Sequence, residues 1–286
     1  MNIKRNKIVL FLAVLFLQSL MIRVSSVMIF AEEKREDTVK AEQGEEVQLP
    51  TLIQTTTLES DYKAMTSLGP AFTPLSLQGD SQQAYENTLC SCVRIQVEGH
   101  YGSGSIYKML ENEIIIVTNR HVLQYWNEDS YVTFFNGAVS GGILLGVSDE
   151  ADLGFVSIPT ANFTYEELLK YRNVRIPVEI SINQRSNTDA EVIPEGSKIF
   201  FTDMASDWRT PVKVEGEVIH PMLYLEDFQM EMLYGTGNVV PGMSGCGVFD
   251  DFGYYVGMLT GGTLQGEIAA VPVEVVEREY EVMVLE

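Results

Sequence analysis

The chain has 286 residues, which is enough to bury one or two sizeable hydrophobic cores. Tyr, Phe, Val and Ile are frequent and regular heptads are absent, which favours a β-rich globular protein and excludes a coiled coil. The formal net charge of -21 argues against nucleic acid as a partner, because phosphates would repel so acidic a protein, and it suits the solubility of an exported one.

The first 31 residues read as a targeting segment. A basic start at residues 4–7 precedes an apolar run over residues 8–22. So short a run after a basic start predicts a secretory signal peptide, with Ala31 as a candidate cleavage point. Because apolar residues resume at 27–30, an uncleaved N-terminal membrane anchor is the alternative. Either way we expect the rest of the protein to be secreted or otherwise extracytoplasmic.

The next segment, residues 32–81, is rich in Glu, Gln, Thr, Ser and Pro and lacks apolar periodicity. That composition predicts a disordered acidic and polar linker or a pro-segment. We expect the ordered domain to span residues 82–286.

Three cysteines are present, too few for a disulfide framework. Cys90 and Cys92 would share one face of a strand, where they do not bridge readily. A metal site would need wider spacing and more ligands. We therefore expect Cys90, Cys92 and Cys246 to be small buried side chains, and we expect neither a metal nor another cofactor.

Alternating apolar and polar residues predict a first group of strands. Val93, Ile95 and Val97 would share one face of a strand, and residues 114–118 form a continuous apolar run. The predicted strands of this group span residues 92–97, 105–109, 114–118, 131–135, 142–147 and 153–158, with a turn over residues 99–104. Six strands are what one closed barrel needs, here over about residues 90–160.

A histidine follows the buried run at 114–118. His121 stands at the end of that predicted strand, where neighbouring groups can tune an imidazole as a general base. His100 and His220 fall in predicted turns and are interpreted as non-catalytic. The alternative for His121 is a structural histidine that caps the strand.

An aspartate opens the last predicted strand of the first barrel. Asp152 precedes an apolar segment, so its carboxylate would enter the core and need a partner, which His121 would provide. Asp149 and Glu150 are nearby alternatives, but no core strand follows either of them directly. The structural alternative for Asp152 is an acid in a turn.

A capping box of Thr164 and Glu167 predicts one internal helix over residues 164–172. A second barrel would follow over about residues 175–272, and then a terminal helix over residues 272–281. Its predicted strands span residues 197–202, 212–219, 228–233, 247–249, 254–259 and 267–271. The predicted fold is all-β, with two six-stranded antiparallel barrels and a short C-terminal helix.

A serine lies in a glycine-bounded turn of the second barrel, Pro-Gly-Met-Ser-Gly at residues 241–245. Gly242 lets the backbone turn so that the N–H groups of Gly242 and Ser244 can form an oxyanion hole, with Ser244 as the nucleophile. An ordinary Gly-Ser surface turn is the alternative. In combination with His121 and Asp152, Ser244 completes the set that serine-dependent peptide hydrolysis requires.

Three motifs occur in order: Thr-Asn-Arg-His-Val at residues 118–122, Asp-Leu-Gly-Phe-Val at 152–156 and Val-Pro-Gly-Met-Ser-Gly-Cys at 240–246. The chain resembles trypsin-like serine peptidases of the chymotrypsin fold, and most closely the bacterial HtrA/Deg group. Gly-Ser-Gly-Ser-Ile at 102–106 and Ile-Ala-Ala-Val-Pro-Val at 268–273 also look like that group. The resemblance covers about residues 82–282.

The resemblance implies an exported serine endopeptidase that cleaves polypeptides through an acyl-enzyme intermediate formed on the His121, Asp152 and Ser244 triad. Cys246 replaces a second glycine after the nucleophile, and a residue so small should preserve activity. Met243 stands where animal trypsins keep an aspartate for activation by a new N-terminus, so that route is not expected. We also expect a peptidase domain without a PDZ domain.

Position also suggests substrate-binding residues. Thr260, Gly261 and Gly262 should line the edge that pairs with substrate backbone as an added strand, and Asn238 should lie near the floor of the specificity pocket. No acid occurs there, so we expect small or medium apolar side chains before the cleaved bond.

Two other functions were weighed. One is a catalytically silent binding module on the same fold, which the presence of a complete His, Asp and Ser set disfavours. The other is an α/β-hydrolase esterase, which requires Gly-x-Ser-x-Gly and the order Ser, Asp, His. Cys246 breaks that motif and the order here is reversed, so the esterase is discounted.

Overall fold

The computed structural model describes residues 71–177 and 193–285, which hold thirteen strands and four α-helices. The predicted signal peptide or anchor at residues 1–31 lies outside the described residues. Within the described ranges, no helix is long and apolar enough to cross a membrane.

The N-terminal half of the described chain contains seven strands. They are β1 (Cys92–Val97), β2 (His100–Met109), β3 (Glu113–Thr118), β4 (Tyr131–Phe134), β5 (Val139–Ser140), β6 (Ile143–Val147) and β7 (Gly154–Pro159). All pair antiparallel in one sheet, in the order β5-β4-β1-β2-β3-β7-β6. Strand β1 has the bounds predicted from its alternating sequence, and the alternation arises because one face of the strand is buried.

The first sheet differs in two respects from the six-stranded closed barrel that was predicted, because it has seven strands and its edge strands do not pair. Its edge strands β5 and β6 are consecutive in the chain and are separated only by Gly141 and Gly142. A Cβ at Gly142 would lie 2.4 Å from the Ser157 carbonyl oxygen, so only glycine permits this close approach. The two edges of the sheet are thus joined through a bend of the chain and not by a hydrogen-bonded pair of strands.

Strand β2 begins earlier than predicted, and the turn expected over residues 99–104 is wrong. The reversal uses Glu98 and Gly99, the latter with a φ of 67°. Gly102 and Gly104 lie inside the strand because their neighbours leave no room for a side chain. A Cβ would lie 2.7 Å from Val122 at Gly102 and 2.9 Å from the Val117 carbonyl at Gly104. Here glycine marks close packing, not a turn.

The C-terminal half forms the closed six-stranded barrel that was predicted. Its strands are β8 (Lys198–Asp203), β9 (Val212–Leu225), β10 (Met230–Thr236), β11 (Gly247–Asp250), β12 (Tyr255–Gly262) and β13 (Glu267–Pro272). The ring closes in the order β10-β13-β12-β11-β8-β9. The all-β, chymotrypsin-like class is confirmed, with one closed barrel, a half-barrel sheet and a short C-terminal helix.

Four α-helices accompany the strands: α1 (Ser81–Thr88), α2 (Arg120–Leu123), α3 (Tyr165–Leu168) and α4 (Val273–Tyr280). The capping box of Thr164 and Glu167 is present at α3, but the helix is one turn shorter than the predicted 164–172. Helix α4 leaves the second barrel and packs Tyr280 against Tyr107 and Phe155 of the first, with ring centroids 4.9 and 5.5 Å apart. Burial of each such aromatic side chain contributes about 1.5–3 kcal/mol to the free energy of folding.

The described domain starts before residue 82, which corrects the predicted boundary of the linker. Phe72 forms a parallel bridge with Asn173, and the Thr73 N–H donates to the Asn173 carbonyl at 3.0 Å. The Ser76 N–H donates to the Phe252 carbonyl at 2.9 Å. Thr73 and Ser76 are fully buried, so this segment is packed against the domain through polar residues. It therefore lacks the apolar periodicity from which an ordered segment could have been predicted.

The three cysteines are free thiols, and Cys92 and Cys246 are buried as expected whereas Cys90 is partly exposed. Burial raises the pKa of Cys90 to about 11 and that of Cys92 to about 12. Since only the thiolate reacts, about one part in a thousand of Cys90 is reactive at pH 8. We expect negligible reaction of the native protein with Ellman's reagent at pH 8 and three equivalents after unfolding in guanidinium. Fast reaction of the native protein would contradict this burial.

Candidate active site

His121 is positioned by the end of strand β3. The chain leaves β3 at Thr118 and enters the short helix α2, in which His121 is the second residue. Between them, Asn119 is fully buried and does not cap α2 with its side chain. Its amide instead donates to the Asp152 carbonyl at 2.8 Å and to Thr260 Oγ1 at 3.3 Å. Asn119 therefore connects the segment that carries His121 to the turn carrying Asp152 and to strand β12.

Asp152 and His121 form a direct pair. His121 Nδ1 lies 2.7 Å from Asp152 Oδ2, and the His121 backbone N–H donates to Oδ1 at 3.0 Å. Burial alone would raise the pKa of Asp152, but the hydrogen bonds and charge of His121, with the charge of Arg120, outweigh it and lower that pKa. Asp152 is thus an ionised acceptor that binds both the imidazole and the backbone N–H of His121.

The turn before Asp152 is shaped by Ser148. Its hydroxyl accepts hydrogen bonds from the N–H groups of Glu150 and Ala151 at 3.1 and 3.0 Å. Glu150 itself is exposed and pairs with Arg278 at 3.3 Å. Of the three acids considered for this role, the structure brings Asp152 to His121.

Ser244 lies in a tight turn between strands β10 and β11. The Met243 N–H donates to the Val240 carbonyl at 3.2 Å, and the Cys246 N–H donates to the Met243 carbonyl at 3.0 Å. Gly242 and Gly245 have φ values of 93° and 89°, which strongly favour glycine. At Gly245 a Cβ would lie 2.2 Å from the Ser103 carbonyl oxygen, so the turn fits tightly against β2.

Two backbone N–H groups of this turn are open. Within the described part of the chain, neither Gly242 N–H nor Ser244 N–H donates a hydrogen bond. They flank the Gly242–Met243 peptide, next to the Ser244 hydroxyl. This is the arrangement in which two donors can meet an oxyanion that forms on a carbonyl bonded to that hydroxyl.

Ser244 lies near the helix that carries His121, but its hydroxyl points to strand β12 and not to the imidazole. Ser244 Oγ donates to the Thr260 carbonyl at 3.4 Å. The Ser244 carbonyl accepts from the Ser103 N–H at 2.8 Å, and it lies 3.3 Å from where a Cβ would stand on Gly102, beside the Val122 side chain. Ser244 thus lies next to the helix that carries His121, and its hydroxyl has no hydrogen bond to the imidazole.

The predicted substrate-binding residues fall on one strand edge and one exposed position. Thr260, Gly261 and Gly262 end strand β12. Among the described strands, Gly261 and Gly262 pair only with β13, which leaves their other edge open. Asn238 is exposed, with Oδ1 3.3 Å from where a Cβ would stand on Gly266.

Sequence reasoning missed Asn119 and Val239. A Cβ at Gly262 would lie 2.4 Å from Val239 Cγ2, so this side chain fills the space above the open edge. The signal for Asn119 was an amide directly after a fully buried strand, where a polar group must find partners. No local signal marks Val239, because its contact depends on the pairing of distant strands.

No protein-family model and no curated protein matches the sequence. Deg5 superposes with a TM-score of 0.55 at 18% identity, over 73% of this chain and 97% of Deg5. A serine endoprotease from Yersinia pestis superposes with a TM-score of 0.55 at 18% identity, over 72% of this chain and 67% of that one. The fold is that of the trypsin-like serine proteases.

A third trypsin-like structure extends the comparison. Rv3671c from M. tuberculosis, in an inactive mutant form, superposes with a TM-score of 0.54 at 11% identity, over 75% of this chain and 96% of that one. The predicted resemblance is confirmed at the level of fold. At these identities the likeness concerns fold alone, and function has to be argued from the site. The described residues hold no cluster of ligands for a metal.

Proposed function

We propose that the chain is a serine endopeptidase that hydrolyses peptide bonds through Ser244, His121 and Asp152. The observation that carries this proposal is the 2.7 Å pair of His121 Nδ1 and Asp152 Oδ2 beside the open turn of Ser244. This pair fixes the imidazole with Nδ1 protonated, which leaves Nε2 free to accept a proton.

The reaction follows from these placements. Ser244 Oγ attacks the scissile carbonyl carbon while its proton passes to His121 Nε2, and the tetrahedral oxyanion accepts hydrogen bonds from the Gly242 and Ser244 N–H groups. His121 then gives the proton to the leaving amine as the C–N bond breaks. Water, deprotonated by His121, cleaves the acyl-enzyme ester and restores Ser244.

Substrate binding is proposed at the open edge of β12. A peptide added as a strand can pair with the backbone of Gly261 and Gly262, which places its carbonyl near Ser244. Val239 narrows the space over Gly262, which supports small or medium apolar side chains before the cut. Asn238 is proposed to contribute at the rim of that pocket, because it is exposed. We also infer export, for which the basic and apolar composition of residues 1–31 is the support.

A catalytically silent binding module is the second candidate. The hydrogen bond from Ser244 Oγ to the Thr260 carbonyl is the observation that favours it, since the hydroxyl is not bonded to His121. Catalytic hydrogen bonds are often formed only when substrate is bound, so this orientation is compatible with activity as well.

Labelling with a fluorophosphonate separates the two candidates. We expect one equivalent of probe on the native protein, located at Ser244 by peptide mass spectrometry, and no labelling after heat denaturation, because the reaction needs an assembled base and oxyanion hole. A broad peptide library should be cleaved by the same preparation. Native protein that neither labels nor cleaves any peptide would establish the silent module.

A further inference from the structure

The turn that holds Ser244 is fastened from the other barrel by a single buried serine. Ser103, on strand β2 and only 1% exposed, donates from Oγ to the Gly242 carbonyl at 2.9 Å. Its N–H donates to the Ser244 carbonyl at 2.8 Å. Its own carbonyl accepts from Thr118 Oγ1 at 2.6 Å, so Ser103 is itself held from strand β3.

The peptide that Ser103 grips lies between the two open N–H groups. The Gly242–Met243 peptide has its carbonyl bound by Ser103 and its N–H bound by the Val240 carbonyl at 3.2 Å. Ser103 thus holds Gly242 and Ser244, the two residues whose N–H groups are open, through the backbone carbonyl of each.

The core side of the turn is anchored without any charge. Met243 is fully buried in the core of the second barrel, and its sulfur accepts from the Val240 N–H at 3.4 Å. The Tyr101 ring and Ala205 pack against Gly242, since a Cβ there would lie 2.3 and 2.7 Å from them. Among the described residues, the only side-chain hydroxyl that binds this peptide is that of Ser103.

We infer that Ser103 is a positioning residue that preassembles the oxyanion hole through its hydrogen bond to the Gly242 carbonyl. The inference rests on the proposed peptidase function and adds a residue that does not touch the reacting atoms. It implies that the geometry of the oxyanion hole depends on how the first sheet packs against the second barrel, since Ser103 lies on the first and Gly242 on the second.

The chain offers a matched control in Ser105. This residue is two positions along β2, on the same face, and fully buried, yet its hydroxyl has no hydrogen-bond partner among the described residues. Ser103→Ala and Ser105→Ala therefore remove the same group from the same strand, and only the first removes a bond to the turn. Ser103→Cys replaces the hydroxyl with a weak S–H donor of similar shape.

The test uses a cleaved peptide from the library, the matching peptide aldehyde and the matching peptide amide as inhibitors. The aldehyde forms a tetrahedral adduct whose oxyanion occupies the hole, whereas the amide binds without one. For Ser103→Ala we expect kcat to fall about tenfold to a hundredfold, less than the loss for deleting a donor itself. The Ki of the aldehyde should weaken by the same factor, while KM and the Ki of the amide stay within about twofold.

We expect Ser103→Cys to fall between wild type and Ser103→Ala, and Ser105→Ala to match wild type in all four constants. If Ser103→Ala does not fold, Ser103→Cys carries the comparison. Aldehyde and amide that weaken equally would show a general structural effect and overturn the inference. So would an active wild type with unchanged kcat in both Ser103 variants. Wild type that neither labels nor cleaves would instead overturn the peptidase function itself.

Discussion

Replacing Ser244 with alanine is expected to lower kcat for peptide cleavage on the order of a million-fold. The substitution removes the hydroxyl of the turn in which the Gly242 and Ser244 N–H groups are open. The fold should persist, because the structural contacts of Ser244 are made by its carbonyl, which Ser103 binds. The measurement is steady-state cleavage of a fluorogenic peptide by the purified protein, with a thermal melt alongside.

Ser197→Ala is the control for that experiment. Ser197 is partly buried at the start of the second barrel, and its described hydrogen bonds are made by its backbone. We expect this variant to cleave and label like wild type. Residual activity of Ser244→Ala above a thousandth of wild type, at equal purity, would mean that another group performs the attack.

Replacing Asp152 with asparagine is expected to lower kcat about ten-thousand-fold with little change in KM. An asparagine can offer an N–H to Nδ1 and favour the tautomer with the proton on Nε2, which then cannot accept the proton of Ser244. Glu150→Gln is the matched control, because Glu150 is an exposed acid two residues earlier that pairs with Arg278. Equal losses in the two variants would contradict the assignment of Asp152.

The same pair of variants tests the charge of Asp152 in the folded protein. The pKa of Asp152 is lowered by folding, so its carboxylate stabilises the native state at neutral pH. That stabilisation is lost as the pH falls from about 4, the usual value for Asp, through the lowered pKa. The melting temperature of Asp152→Asn should therefore lie below wild type at pH 7, and the difference should narrow below about pH 4. A difference independent of pH would contradict this.

Most of the fold was predictable from strand patterns. Strand β1 alternates because one of its faces is buried, and β3 and β7 are continuous apolar runs because both of their faces are buried. Residues 92–97 alternate and match β1, and all six strands of the second barrel were predicted to within a few residues, except that β9 extends to Leu225. Failures occurred where distant contacts decide local structure. Gly102 is a strand residue because Val122 occupies the place of its side chain, and no neighbour in sequence reveals that.

The candidate site was predictable to the extent that its groups stand at ends of strands. His121 follows β3, Asp152 precedes β7, and Ser244 precedes β11, so their local sequences were informative. The residues that position them, Asn119 and Ser103, could not be predicted from local sequence, since both bind partners from distant parts of the chain. Their side chains satisfy buried backbone carbonyls, a need that appears only once the strands are arranged.

The bonds between Asn119 and Thr260 and between Ser103 and Gly242 also bear on when the protein gains its function. They join residues 141 and 139 positions apart, so they close very long loops, and the entropic cost of that closure leads us to expect that they form late in folding. A chain emerging during synthesis carries His121 and Asp152 long before Ser244, and the cleft exists only after both halves have folded. Under the proposed peptidase function, a partly made chain would therefore have no means of digesting itself or its neighbours.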